Sequence, residues 1–553
     1  MGKPQLGGNL PQGFLRLSEN VTITINGLRL AISGNIQRHL PGDDGAIAVA
    51  LMIGDRSGIP ANIQESLRKS GLAHILAISG LHMALVTLTV LGLLRMLFSL
   101  TPGIALYYPT RKWAAAGGLI AATLYLALSG GAVATFRAWI MLSIMLSAIM
   151  MDRKALTIRN VVLAAIVVLI VSPESLLEPG FQMSFAATGA LVAAYSQFTK
   201  WRTRKAGLQE HKTGIWTAPK IVAAYVFGLA FTSLIAGLAT GIFSAWHFHR
   251  IAPMGLMSNL LAMPVVSILV MPLALTSALL MPYGLESLAL TPLRLAINLV
   301  VQISDWVNTF PVPAITGVQT IPVLLCGAGG LLILTLFNTR LRLLGIVPIG
   351  AMFLFAGNQP PPDIVVSQDG RAIGVSDQSG KLVLLYPRRN RFIADIWLRA
   401  WSGGKSGNRS ELIGECDKDH CVATTPHGIR LEVVYNPNLL DASCKTADIL
   451  VAPRLWWADC RRYTAKRQQT RNGISNPGII LTRLDFEKFG THEIRFSKTD
   501  LSTAESPDQQ ANEFRITDQI WRAEIETALS DTPRQWNIQR LALDEPVFEK
   551  PKP

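Results

Sequence analysis

Side chains able to do chemistry are sparse in the apolar stretches of this sequence, and they fall in short clusters. The first is Gly54-Asp55-Arg56-Ser57-Gly58-Ile59-Pro60, which sets an acid and a base on a glycine-bounded turn. Such a pair acts either as a gate or as an ion pair that locks a loop, and the lock is the simpler physical reading. His82 follows His74 by eight residues, about two turns of one helix, with Ser79 and Gly80 between them. That face is small and polar, fit for lining a path or for close helix contact. Arg137 stands in Ala134-Thr135-Phe136-Arg137-Ala138-Trp139, near the end of an apolar run. There a guanidinium either grips a phosphate in a low-dielectric setting or snorkels to lipid headgroups. Arg454, Trp456, Trp457, Arg461 and Arg462, followed by Lys466 and Arg467, mix cations with stacking surfaces. This is the composition of a single-strand binder, or of a solvated basic face over core tryptophans. His247-x-His249 lacks a nearby carboxylate and reads as an interfacial anchor beside Trp246, and Gly237-x-x-x-Gly241 reads as helix packing. No metal site or cofactor is expected, and no Gly-x-x-x-x-Gly-Lys-[Ser/Thr] phosphate loop occurs.

The elements that must position these residues follow from composition. Of 553 residues, 50% are hydrophobic and 16% charged, and the mean hydropathy is +0.33, so a polytopic membrane protein is expected. The net charge of +14 is first explained by cationic cytoplasmic loops rather than by a nucleic-acid partner. About ten apolar segments of spanning length centre near 87, 121, 143, 165, 188, 233, 265, 296, 328 and 349. The run from Pro253 to Pro282 reads as one long helix or two half-helices, and Arg294 interrupts the segment near 296. Cations alternate between loops: Arg95, Arg111 and Lys112, then Arg153, Lys154 and Arg159, then Lys200 to Lys220, then Arg340 and Arg342. An even number of crossings with both termini periplasmic accounts for that alternation.

Outside this region the pattern changes. Met1 to Gln12 is polar and lacks the apolar core of an export signal, Val21-Thr22-Ile23-Thr24-Ile25 alternates like a short strand, and Leu28 to Leu40 has helical spacing. Past Gln359-Pro360-Pro361-Pro362-Asp363, strand-like runs appear at 364–366, 372–375, 382–386, 429–435, 449–452, 479–481 and 494–496, with a helix at 392–401. The expected class is a membrane all-α polytopic bundle followed by a soluble periplasmic α+β domain, divided as 1–50, 51–358, 359–500 and a polar tail at 501–553. Cys326 lies in a span. Cys416, Cys421, Cys444 and Cys460 allow two disulfides in an oxidising periplasm. Loop length favours Cys416 with Cys421 and Cys444 with Cys460, although spacing alone does not fix the pairing and free buried thiols are the alternative.

The stretches Gly54 to Pro60 and His74-Ile75-Leu76-Ala77-Ile78-Ser79-Gly80-Leu81-His82 resemble the signature of the competence-domain (ComEC) family of bacterial inner-membrane proteins. Glu178-Pro179-Gly180-Phe181-Gln182-Met183-Ser184-Phe185 and His247-Phe248-His249-Arg250-Ile251-Ala252-Pro253 extend the likeness over about residues 30 to 290. The resemblance implies a channel that passes single-stranded DNA into the cytoplasm during natural transformation. It also implies a periplasmic DNA receptor and a cytoplasmic helicase or strand-binding protein as partners, with the oligomeric state open. Residues 1–50 would be the remnant of an OB-like domain in an N-terminally shortened chain. The C-terminal domain resembles a metallo-β-lactamase-like domain whose two-metal chemistry requires His-x-His-x-Asp-His. That motif is missing, and Arg454 and Leu455 stand where histidines would be expected, so a degenerate domain without nuclease activity is expected. The competing readings are a membrane nuclease with an atypical site and a transporter of another solute. The latter is disfavoured because the spans contain almost no carboxylates for ion coupling.

Overall fold

The computed structural model describes residues 12–76, 78, 80–206, 217–310, 312, 314–337, 339–357, 359–386, 390–407, 413–455, 460, 479–499, 513–516 and 519–527. The chain divides into two compact units, one built almost wholly from residues up to Leu354 and one from Phe355 onward, the latter joined by Phe248–Arg250 and Ile315–Ile321.

The first unit is helical. Its helices are α1 Gln12–His39, α2 Asp43–Ile53, α3 Ala61–Lys69, α4 Ala73–Leu76, α5 Gly80–Ser99, α6 Pro102–Tyr107, α7 Thr110–Leu128 and α8 Val133–Met150. They continue as α9 Ile158–Val171, α10 Pro179–Ala206, α11 Thr217–Phe248, α12 Gly255–Val265, α13 Met271–Leu280, α14 Ser287–Val307, α15 Ile321–Leu336 and α16 Ile346–Met352. The alternation at Val21 to Ile25 falls inside α1, so the strand expected there is a helix: five residues of period two are outweighed by a helix of 28. No strand of an OB-type barrel occurs among the described residues of 1–50.

Among the described residues, five helices are long and apolar enough to cross a membrane: Gly80–Ser99, Val133–Met150, Val222–Phe248, Gly255–Tyr283 and Ser287–Val307. α9 and α15 are apolar but shorter. The expected count of about ten is not confirmed by these helices. Arg111, Lys112, Gly117 and Gly118 dilute α7, while Gln182, Ser184, Thr188 and Ser196 dilute α10. α16 has seven residues, too few for a 30 Å core. The run from Pro253 to Pro282 is one continuous helical stretch. A π turn at Val266–Val270 sits between Pro264 and Pro272 and absorbs the backbone misfit that the prolines create. Large apolar side chains point outward along these helices, with Leu238 65% and Leu295 70% exposed, an inversion that suits lipid rather than water.

Inside, α2 is buried on all sides from Gly45 to Ile53 and forms the centre of an apolar core with α12, the π turn, α13 and α14. Close helix approach occurs at Gly330 and Gly345, where a Cβ on either would meet the other's carbonyl oxygen at 2.6 and 2.5 Å. Gly237 and Gly241 have nothing within 4 Å of a would-be Cβ, so the packing role expected of that pair is not seen among the described residues.

The second unit is layered. One sheet has the strand order β10-β11-β9-β1-β2-β3 and is antiparallel throughout; the other runs β4-β5-β6-β7-β8, with β6, β7 and β8 parallel. Their ranges are β1 Ile364–Val366, β2 Ile373–Ser376, β3 Leu382–Leu384, β4 Ile413–Cys416, β5 His420–Thr424, β6 Arg430–Val434, β7 Ile449–Ala452, β8 Ile479–Thr482, β9 His492–Thr499, β10 Glu513–Ile516 and β11 Gln519–Thr527. Val366, Val375 and Ile494 of the first sheet share a buried core with Leu431, Val451 and Leu481 of the second. Helix α17, Arg391–Trp401, covers the outer face of the first sheet through Ala394 and Trp397. Helix α18, Leu440–Thr446, covers the second through Cys444. Helix α19, Arg483–Phe489, follows β8 behind a capping box formed by Thr482 and Asp485. Residues in the expected polar tail supply β10 and β11, and β11 pairs with the whole of β9 from Thr499 to His492. Their polar composition hid them, because an edge hairpin buries only alternate residues such as Ala523. The two disulfides are Cys416 with Cys421 and Cys444 with Cys460, and Cys326 is free.

Candidate functional site

Several of the clusters singled out from sequence converge in the helical unit. Helix α2 ends on Gly54, whose left-handed φ of 81° requires glycine, and a Cβ there would meet the Ser129 carbonyl at 3.1 Å and Ile78 Cδ1 at 3.3 Å. Asp55 then accepts the Ser57 amide at 2.9 Å in an Asx turn. Its carboxyl is held below the usual range, first by that amide, next by the Ser57 hydroxyl and then by the charge of Arg29. No ion pair joins Asp55 to Arg56, so the expected lock is made by Ser57 rather than by its neighbouring base. Both residues, with Ser57 and Gly58, are exposed.

His74 and His82 do not share a helix face. The helix stops after Leu76, Ile78 is non-helical, and α5 begins at Gly80, so the 3.6-residue period does not run from one ring to the other. His74 is exposed with Nδ1 3.0 Å from the Gly71 carbonyl, whereas His82 is fully buried. Ser79 lies outside the described residues. The break packs onto α8: Thr135 Oγ1 donates to the Ile78 carbonyl at 3.4 Å, and a Cβ on Gly80 would meet the Ala138 methyl at 3.7 Å.

Arg137, two residues on from Thr135 in α8, is 5% exposed and so does not snorkel. Its Nη1 lies 3.8 Å from Glu178 Oε2, a long ion pair with a half-exposed acid. The guanidinium rests on Gly180, where a Cβ would stand 2.5 Å from Nη2, and Nε is buried without a hydrogen-bond partner. Glu178-Pro179-Gly180 thus serves as the floor beneath the arginine, and two residues on Gln182 Oε1 meets His247 Nε2 at 2.8 Å. That contact gives His247 a partner other than a metal. His249 takes a φ of 51° where the chain leaves α11. Among the described residues no group of three or more His, Cys, Asp or Glu side chains is placed to hold a metal ion.

Two polar arrangements were not singled out from sequence. Arg29 of α1 donates to the Ile53 carbonyl at 3.3 Å and lies against Gly130, whose φ is 75°. Ser70 and Ser304, both fully buried, share a 2.9 Å hydrogen bond; Ser66 lies 2.9 Å from Ser304 and also bonds Asp305, and Asn308 Nδ2 donates to Ser66. The signal was present as two i,i+4 pairs, Ser66 with Ser70 and Ser304 with Asn308, which bring polar groups to one stripe of each helix.

In the second unit Arg454 lies over the Tyr435 ring at 5.6 Å, while Trp456, Trp457, Arg461, Arg462, Lys466 and Arg467 lie outside the described residues. Ser443, His420 and Glu432 come together, but His420 uses the same Nε2 toward Ser443 at 3.4 Å and toward Glu432 at 3.2 Å. A nucleophile relay needs opposite ring nitrogens, so this cluster is a buried ion-pair network rather than a triad.

Residues 51–342, more than half of the chain, match the family model described as Competence protein. Over 254 residues the chain is 30% identical to ComE operon protein 3 of Bacillus subtilis (strain 168), covering 46% of this chain and 29% of that protein. It is 28% identical over 213 residues to Competence protein ComA of Neisseria gonorrhoeae, covering 38% and 30%. It is 26% identical over 238 residues to Recombination protein 2 of Haemophilus influenzae, covering 41% and 28%. The chain thus spans less than a third of the length of these relatives, and no solved structure matches it. The matched span contains the Gly54 collar, the break before α5, Arg137 on its Gly180 floor and the Gln182–His247 contact, and on that match the chain belongs to the Competence protein family.

Proposed function

We propose that this protein acts in DNA uptake for transformation, its helical unit passing single-stranded DNA through the bacterial inner membrane with Arg137 as a phosphate contact. The observation that carries the reading is Arg137 itself, buried yet under-partnered, with Nε unbonded and only a 3.8 Å acid opposite it. A guanidinium with unused donors offers a phosphodiester two parallel hydrogen bonds. The alternation of loop cations supports a multi-pass arrangement with both termini periplasmic. Movement of the strand requires a pull from a cytoplasmic helicase or strand-binding protein, and delivery requires a periplasmic DNA receptor.

The second unit, two sheets between outer helices, is read as a degenerate metallo-β-lactamase-like domain without nuclease activity. Supporting this reading, Arg454 falls in the sequence where the resemblance would expect a metal histidine, and it lies over the Tyr435 ring. A nuclease assay on the full chain with Mn²⁺ or Zn²⁺ tests this, and cleavage lost on chelation would sink it.

The channel reading is tested by deleting the gene and scoring transformation and arrival of labelled DNA in the cytoplasm. Complementation with Arg137→Ala, and with Arg137→Lys, is expected to restore less than about 1% of wild-type transformation, since an ammonium cannot make the bidentate contact. Normal uptake in the deletion strain, or full rescue by Arg137→Ala, defeats the proposal.

A further inference from the structure

We infer that the cleft between α10, α11 and the turn before α16 is a binding site for the headgroup of an anionic phospholipid. The cleft has a volume of about 540 Å³, and its lining includes Gln197, Phe198, Lys200, Trp201, Phe231 and Arg342. Its floor is aromatic. The Phe198 ring centroid is 5.8 Å from Phe231, 5.9 Å from Phe227 and 6.0 Å from Trp201, so three helical turns of two helices present one continuous apolar shelf. Its rim is cationic, and the two cations come from different elements, Lys200 from α10 and Arg342 from the 3-10 turn Arg340–Gly345. Neither has an ion-pair or side-chain hydrogen-bond partner among the described residues.

This arrangement fits a phosphate at the rim with acyl methylenes on the shelf. Phe231 lies within the apolar span Val222–Phe248, so the inner wall of the cleft faces hydrocarbon while its mouth is polar. A nucleic-acid strand needs a continuous hydrated groove along its backbone, whereas this cleft is lined largely by aromatic rings. With no carboxylate among the described lining residues, these residues offer nothing to the amine of a zwitterionic headgroup, which selects phosphatidylglycerol or cardiolipin over phosphatidylethanolamine.

The test is native mass spectrometry of the purified full chain released from nanodiscs holding equal amounts of phosphatidylglycerol and phosphatidylethanolamine, with a thymidine oligonucleotide added in a parallel sample. Retention of phosphatidylglycerol is expected to exceed that of phosphatidylethanolamine by about tenfold in the wild type and by less than about twofold in Lys200→Gln/Arg342→Gln. Lys200→Glu, a change at an exposed position that leaves Arg342 in place, is expected to lose several-fold of the preference and serves where the double variant fails to fold. Equal retention of the two lipids, an unchanged preference in the folded variants, or displacement of the lipid by the oligonucleotide would each overturn the inference. The last outcome would assign the cleft to the strand instead.

Discussion

The two units handle buried polarity in opposite ways. In the helical unit the serine cluster of Ser66, Ser70 and Ser304 is satisfied, but among the described residues other buried groups are short of partners: Arg137 lacks a bond at Nε, and the Thr87 hydroxyl is likewise unpaired. In the sheet unit the comparable buried acid, Glu432, accepts from Thr446 at 2.6 Å, Arg430 at 2.7 Å and His420 at 3.2 Å. A fully satisfied cluster fixes a fold, whereas an under-satisfied cation in a low-dielectric body is free to recruit a ligand. The family match falls on the first kind of unit, ending at residue 342.

Four changes break or sharpen that contrast. The largest expected effect is loss of the Cys444–Cys460 bridge in the sheet unit. Closing a loop of 16 residues contributes about 3 kcal/mol, so Cys444→Ser/Cys460→Ser should expose the C-terminal region of the full chain to protease while the helical unit stays protected. Equal loss of protection in both would show that they unfold as one. Next, Ser304→Val removes the partner of two hydroxyls between α3 and α14 and should cost about 2 kcal/mol, read as a fall in the detergent-solubilised midpoint. A neutral result would mean that polarity in the helical unit is as dispensable as its exposure to lipid suggests.

Acid should act on the sheet unit through Glu432. Burial raises the pKa of this carboxyl, but the hydrogen bonds from Thr446, Ser443, His420 and Arg430 outweigh burial and hold it below its ordinary 4.5. Because the folded value is the lower one, its contribution is complete above about pH 4.5 and is lost as pH falls through the folded value. Glu432→Gln should cost about 1–2 kcal/mol at neutral pH and flatten the acid limb of the C-terminal transition. An unchanged limb would move the acid sensitivity elsewhere.

The smallest effect concerns Glu493 and Glu526, which face each other across β9 and β11. Burial first, and then the like charge of Glu526, raise the Glu493 pKa, so this pair costs stability at neutral pH and the cost is relieved as pH falls. Glu526→Gln should raise the midpoint by the equivalent of about 0.5 kcal/mol, with no gain left in acid. A gain that persists in acid would exclude charge as its cause.

Much of the sheet unit was legible residue by residue. Ile364 to Val366 and Ile449 to Ala452 are continuous apolar runs bounded by turn residues, and both are strands with the expected limits. The disulfide pairing is the one that loop length favoured, although spacing alone left it open. β10 and β11 were not legible, because their period-two pattern is mostly polar and only pairing with β9 gives it meaning. The membrane character of the helical unit and its family were legible in the apolar runs and in the motifs around Gly54 and His74. The number of long apolar helices was not, since windowed hydropathy does not see where a helix ends.

By itself, then, the sequence determined composition and local periods: which stretches prefer lipid, which alternate as strands, and where glycines bound a turn around Asp55. The tertiary structure alone decided which motifs meet. It breaks the helix at Ile78 and so separates His74 from His82, it buries Arg137 on Gly180, and it joins Ser70 to Ser304 across 234 residues. The physical reason is that local preference acts over a few residues, whereas burial and hydrogen-bond satisfaction are settled only when distant segments compete for the same interior.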